Sequence, residues 1–135
     1  PLENIFQSSK VFENGGPYLD LLKLSPKEAK RDPRLRSSGK LVSFSYQGEN
    51  FPLEPKSLFY DYIYLKAVKD SLSQVEIKSI LHYNYFTDIE FNPKKSINTQ
   101  ARSIALVKII VEEFGQIKEF NMEDFLDYHK AHVLE

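Results

Sequence analysis

The chain has 135 residues with 18 Lys plus Arg against 19 Asp plus Glu, is 41% hydrophobic and 13% aromatic, and contains no cysteine or tryptophan. That composition fits one globular domain and excludes a self-repelling disordered chain, a disulfide framework and a thiolate zinc site. The longest apolar stretch, Ile104 to Val111, is interrupted by Lys108 and is far shorter than the roughly 20 residues that span a bilayer. With no basic-then-apolar leader at its start, the chain reads as cytoplasmic, with no membrane partner.

Residues 1–10 read as a helix, with Pro1 in the first turn and Glu3 where the helix dipole favours an anion; Asn14-Gly15-Gly16-Pro17 is expected to stop it. A chain that opens directly into a helix reads as a piece of a longer one. Tyr18 to Leu24 is expected to be a short helical stretch. Ser25-Pro26-Lys27-Glu28 is a capping box with proline at the first helical position, and its helix should fail near Asp32-Pro33. Lys27, Lys30, Arg31, Arg34, Arg36 and Lys40 follow one another as a basic run. Leu41 to Tyr46 alternates like a strand, Gln47-Gly48 turns the chain, and Phe51-Pro52-Leu53 is expected as an edge-like return strand.

Helical spacing recurs from Glu54-Pro55 to about Lys69, and Ser73 to Leu81 reads as a further helix with Ser73 as its cap. Tyr85 to Phe91 carries a strand signal ended by Asn92-Pro93. Thr99 to Phe114 is the longest and most apolar helix, stopped by Gly115, and Asn121 caps a last helix from Met122 to about His132. The sum is an α+β fold: a mainly helical single domain, residues 1–135, with a small β-sheet.

Glu3, Gln7, Lys10 and Asn14 fall at helical spacing, so one unbroken helix would carry them on one face, as a pocket wall or as a solvated stripe. Gly15-Gly16 allows a ligand phosphate close to the backbone, or simply stops a helix. The basic run around Lys30, Arg31, Arg34 and Arg36 suits phosphates or an ordinary solvated surface. Phe59 and Tyr60 suit stacking on a base or packing in the core. On a strand, Asp88 and Glu90 share a face, with Asn92 and Lys94 or Lys95 nearby; two acids and a lysine also suit a metal-dependent nuclease. His82, His129 and His132 show no metal-site spacing, and the last two are assigned to a surface helix without a role.

Several runs together resemble the NADAR domain family. Leu2-Glu3-Asn4-Ile5-Phe6-Gln7-Ser8-Ser9-Lys10 resembles its "VEHxxQxxK" helix, and Ser25-Pro26-Lys27-Glu28-Ala29-Lys30-Arg31 its "SPxEAKR" motif. The run Phe6 to Tyr18, with Phe51-Pro52-Leu53-Glu54-Pro55-Lys56 and Phe86 to Asn98, is similar to NADAR antitoxins paired with DarT toxins. The resemblance covers most of the chain up to about Leu106. It implies an ADP-ribosyl glycohydrolase that removes ADP-ribose from the amino group of guanine in DNA, reversing a DarT-type toxin, with no cofactor and no metal. By motif, Glu3, Lys10 and Glu90 would be catalytic and Lys30 and Arg31 ligand contacts. Gln7, Gly16, Tyr18, Phe59, Tyr60, Asn92 and Asn98 complete the candidate ligand-binding set. The family's strand and aromatic loop ahead of the first helix are expected to be missing from this chain. Contact-only toxin neutralisation or nucleotide binding is the alternative.

Overall fold

A computed structural model describes residues 2–71, 73, 75 and 95–133. Within them the elements run α1 (Leu2–Ser8), β1 (Lys10–Phe12), a 3-10 helix (Leu19–Lys23), α2 (Pro26–Lys30), α3 (Arg34–Ser37), β2 (Leu41–Tyr46), β3 (Glu49–Phe51), α4 (Leu58–Ser71), α5 (Lys95–Phe114) and α6 (Met122–His132). The three strands form one antiparallel sheet in the order β1-β2-β3. The architecture is the expected mainly helical α+β domain with a small sheet. No helix among the described residues is long and apolar enough to cross a membrane.

The first helix is shorter than its sequence pattern predicts. It ends at Ser8, whose Oγ donates to the Ile5 carbonyl at 3.2 Å and so competes with the helical ladder. Lys10–Phe12 then pairs with β2, Lys10 opposite Phe44 and Val11 opposite Ser43, and the Ser45 amide donates to the Ser9 carbonyl at 2.8 Å. A long-range ladder thus outweighs local helical spacing, and Lys10 and Asn14 leave the face shared by Glu3 and Gln7. The hairpin turn Gln47-Gly48 takes positive φ at both residues, 49° and 82°, which matches the twist of the flanking strands. Pairing restarts at once, so β3 is Glu49–Phe51 rather than a strand centred on Pro52, which has no amide to give.

The capping box at Ser25 forms as expected: Ser25 Oγ accepts from the Glu28 amide at 3.1 Å, and Glu28 Oε1 accepts from the Ser25 amide at 3.2 Å. Asn121 Oδ1 caps α6 by accepting from the Asp124 amide at 2.8 Å. Helix α5 begins four residues before the expected Thr99. Apart from Ser73 and Val75, the helix expected over Ser73 to Leu81 and the strand over Tyr85 to Phe91 lie outside the described residues.

The core is aromatic where sheet meets helix. The ring of Phe59 on α4 stacks on Phe44 of β2 with centroids 4.5 Å apart and meets Phe51 of β3 edge-on at 5.0 Å. Ile63 and Leu65 extend this layer to Leu106, Val107, Ile110 and Val111 of α5 and to Phe120 and Phe125. Helix α1 is held from the other side: Asn4, fully buried, donates through Nδ2 to the carbonyls of Leu21 at 2.9 Å and Leu24 at 2.7 Å. Glu3 and Gln7 flank Asn4 on α1, which packs against the 3-10 helix, α2 and α4.

Candidate active site

Two open clefts meet at Glu3. One, of about 490 Å³, is lined by Glu3, Pro26 and the cationic side chains of Lys27, Lys30, Arg31 and Arg36. The other, of about 510 Å³, is lined by Glu3, Phe6, Gln7, Lys30, Lys56, Ser57, Tyr60 and Arg102. Glu3 and Lys30 border both, so an acid stands between a basic wall and a mixed aromatic and polar wall. Each cleft is within the size range of small-molecule sites.

The Glu3 carboxylate accepts a 2.9 Å hydrogen bond from Gln7 Nε2, one turn along α1. Because a carboxylate only accepts, this bond fixes the Gln7 amide and leaves its Oε1 as the free end. Gln7 is buried, and Oε1 has no hydrogen-bond partner among the described residues. An acceptor in that condition beside a cleft suits a ligand hydroxyl or amine. The four residues of the expected stripe divide: Gln7 is buried, Glu3 and Lys10 are half-buried, and Asn14 is exposed.

Lys10, on β1, lines neither cleft but packs beside one of the second cleft's lining residues. Its Nζ lies 5.2 Å from the centroid of the Phe6 ring, which lines the second cleft. Burial pulls the Lys10 ammonium below its ordinary pKa, and the charge of Glu3 opposes that shift, so the two side chains share one electrostatic environment. The Tyr60 phenol is held above its ordinary value by burial first and then by the charges of Glu3 and Asp61; it remains a neutral donor on the cleft wall.

The remaining candidates divide. Lys30 and Arg31 line the basic cleft. Arg34, from the same run, does not: its guanidinium is bound by Asp20 at 2.7 Å and Asp32 at 2.9 Å and covers the Tyr18 ring at 4.5 Å. Tyr18 Oη is hydrogen-bonded to Ser38 Oγ. Gly16 has φ of +89°, and a Cβ there would lie 2.4 Å from the Lys10 carbonyl oxygen, so glycine is what lets the turn press against β1 beside Lys10. Phe59 is 1% exposed and stacked in the core, which leaves no ring face for a base. Glu90 and Asn92 lie outside the described residues, as do Asp88 and Lys94; the side chains of Lys95 and Asn98 are likewise not described. Among the described residues, no group of three His, Asp or Glu side chains could hold a metal ion.

Sequence reasoning missed a buried polar cluster behind the cleft. His129 is fully buried rather than on an exposed helix face, because α6 packs on α4 through Phe125 and His129. Its Nε2 lies 2.8 Å from Asp61 Oδ2 and 3.2 Å from Ser57 Oγ, and Ser103 Oγ donates to Asp61 Oδ1 at 2.7 Å. A nitrogen facing a carboxylate carries the proton, so Nε2 donates to Asp61 and Ser57 Oγ shares the same N–H. Serine and aspartate thus meet one nitrogen, whereas a catalytic triad places them on opposite nitrogens; His129 does not activate Ser57. Lys56 and Arg102 were also missed; no short-range pattern links them to Glu3.

A family model described as DarT1-associated NADAR antitoxin matches residues 1–135. The chain belongs to the DarT1-associated NADAR antitoxin family. No curated protein matches it.

Proposed function

We propose that the chain is an ADP-ribosyl glycohydrolase that counters a DarT1 toxin by removing ADP-ribose from guanine in DNA. The observation that carries this reading is the placement of Glu3 at the junction of a cationic cleft and an aromatic one, with the partly desolvated Lys10 amine in its field. The basic wall of Lys27, Lys30, Arg31 and Arg36 suits a pyrophosphate, and Phe6 with Tyr60 suits flat groups. Gln7 holds the Glu3 carboxylate from one turn along α1.

Hydrolysis breaks the bond between the ribose anomeric carbon and the guanine amino nitrogen; water oxygen adds to the carbon, and one proton goes to the leaving amine. Positive charge develops on the sugar as the bond lengthens, and the Glu3 carboxylate stabilises it and orients the water. The Lys10 ammonium supplies the proton. In a second reading, favoured by the lowered pKa of Lys10, its neutral amine attacks C1 of the ring-opened sugar, the C1–N bond to guanine breaks as the guanine amine leaves with a proton, and water then hydrolyses the lysine imine to release ADP-ribose and the free amine. Glu90 is proposed as an additional acid on family resemblance alone.

The test is to incubate the chain with a guanine-ADP-ribosylated oligonucleotide, with and without EDTA, and follow ADP-ribose by mass. Metal-independent release that is lost in Lys10→Ala and Glu3→Gln is expected, each variant falling by at least about 100-fold. Undiminished turnover in folded Lys10→Ala sinks the assigned role of that lysine. Toxin neutralisation that survives both substitutions favours a contact-only antitoxin, and DNA cleavage abolished by EDTA favours the nuclease.

A further inference from the structure

The Tyr60 and Arg102 part of the cleft wall comes from two helices other than α1 and those of the basic wall. Tyr60 belongs to α4 and Arg102 to α5, and both line the cleft that Glu3 also borders. Each is followed in sequence by a member of the buried polar cluster: Asp61 follows Tyr60, and Ser103 follows Arg102. The 2.7 Å bond from Ser103 Oγ to Asp61 Oδ1 therefore ties the two helices together one residue away from the two cleft-facing side chains. His129 braces the same carboxylate from α6 through its second oxygen and reaches Ser57, which itself lines the cleft. Asp61, Ser103 and His129 are each no more than 1% exposed, and Ser57 is 5% exposed. Each of these side chains has a hydrogen-bond partner within the cluster, although His129 Nδ1 has none among the described residues, and paired buried polar groups fix geometry more sharply than apolar packing does.

We infer that the Asp61–Ser103–His129–Ser57 cluster is a positioning device that sets the spacing of Tyr60 and Arg102 on the cleft wall and so governs capture of an anionic, aromatic-bearing ligand. It rests on the glycohydrolase reading. The cluster touches no reacting atom and acts through the two residues it places. Its signature is a weakened KM with kcat little changed, because Tyr60 and Arg102 grip the ligand alike in ground and transition states.

The test is a double-mutant cycle on the full chain with the guanine-ADP-ribosylated oligonucleotide, paired with calorimetric titration of free ADP-ribose. Ser103→Ala is expected to raise KM about tenfold, the size of one lost hydrogen bond to a carboxylate, with kcat within about twofold. In an Arg102→Ala background the same change is expected to add almost nothing, since the residue it positions is already gone. Ser103→Thr, which keeps the hydroxyl, should restore KM. Should Ser103→Ala fail to fold, Ser103→Cys keeps the volume and weakens the bond, and enters the same cycle. A KM at the wild-type value, or a full additional loss in the Arg102→Ala background, overturns the inference while wild-type turnover leaves the glycohydrolase standing. A wild-type chain that neither releases nor binds ADP-ribose overturns both.

Discussion

Lys10 shows how one residue carries opposite demands. Its aliphatic stem and amine are drawn in over Phe6 beside Glu3, and burial depresses its pKa. Below the depressed value the charged amine is carried in the fold at a cost; between that value and the ordinary 10.5, the unfolded chain binds the proton that the folded chain has lost. Stability contributed by this group therefore rises with pH across that window. Lys10→Met, which removes the charge and keeps the length, is expected to raise the melting temperature at neutral pH while abolishing turnover; a lower melting temperature would contradict the desolvation argument. The same titration separates the two chemical readings. Activity that falls as pH rises through the Lys10 pKa marks a proton donor, and activity that rises marks an amine nucleophile.

At the scale of elements, the basic cleft depends on a five-residue helix too short to hold itself. Helix α2 presents Lys27, Lys30 and Arg31 only because the capping box at Ser25 satisfies its first amides and Ala29 is buried beneath it. Ser25→Ala is expected to cost about 1 kcal/mol in denaturant unfolding. It should also weaken ADP-ribose binding by a few-fold, since the cationic side chains lose their fixed origin. Unchanged affinity with the stability loss present would show that the 3-10 helix and α1 hold α2 without the cap.

For the whole molecule, the buried pair of Asp61 and His129 joins α4 to α6, elements separated by most of the chain's second half. His129→Leu leaves the Asp61 carboxylate without that donor in a dry site, and a loss of about 3 kcal/mol or more is expected by equilibrium unfolding. The Asp61→Leu, His129→Leu double variant is expected to lose less than His129→Leu alone, because no unpaired charge remains. A double variant less stable than the single one would mean that the pair is net stabilising rather than a device for fixing geometry.

Local chemistry was enough to read the capping box at Ser25, the N-cap at Asn121, the Gln47-Gly48 turn, the apolar face of α5 and the motifs that place Glu3, Gln7, Lys30 and Arg31 in one family, because each signal is complete within a few neighbouring residues. The end of α1 at Ser8 was not legible: Lys10 and Val11 fit a helical pattern, and only β2, some thirty residues later, offers them a ladder. Phe59 and Tyr60 are adjacent and chemically alike, yet one is sealed between Phe44 and Phe51 and the other faces the cleft, a division made by which side of α4 meets the sheet. His129 gave no sign of its burial because its partners, Ser57 and Asp61, lie about seventy residues away. Sequence by itself determined the turns, caps, helix-forming stretches and family; tertiary structure decided which side chains share a cleft and which a core, since contact across distant segments depends on packing that no local pattern encodes.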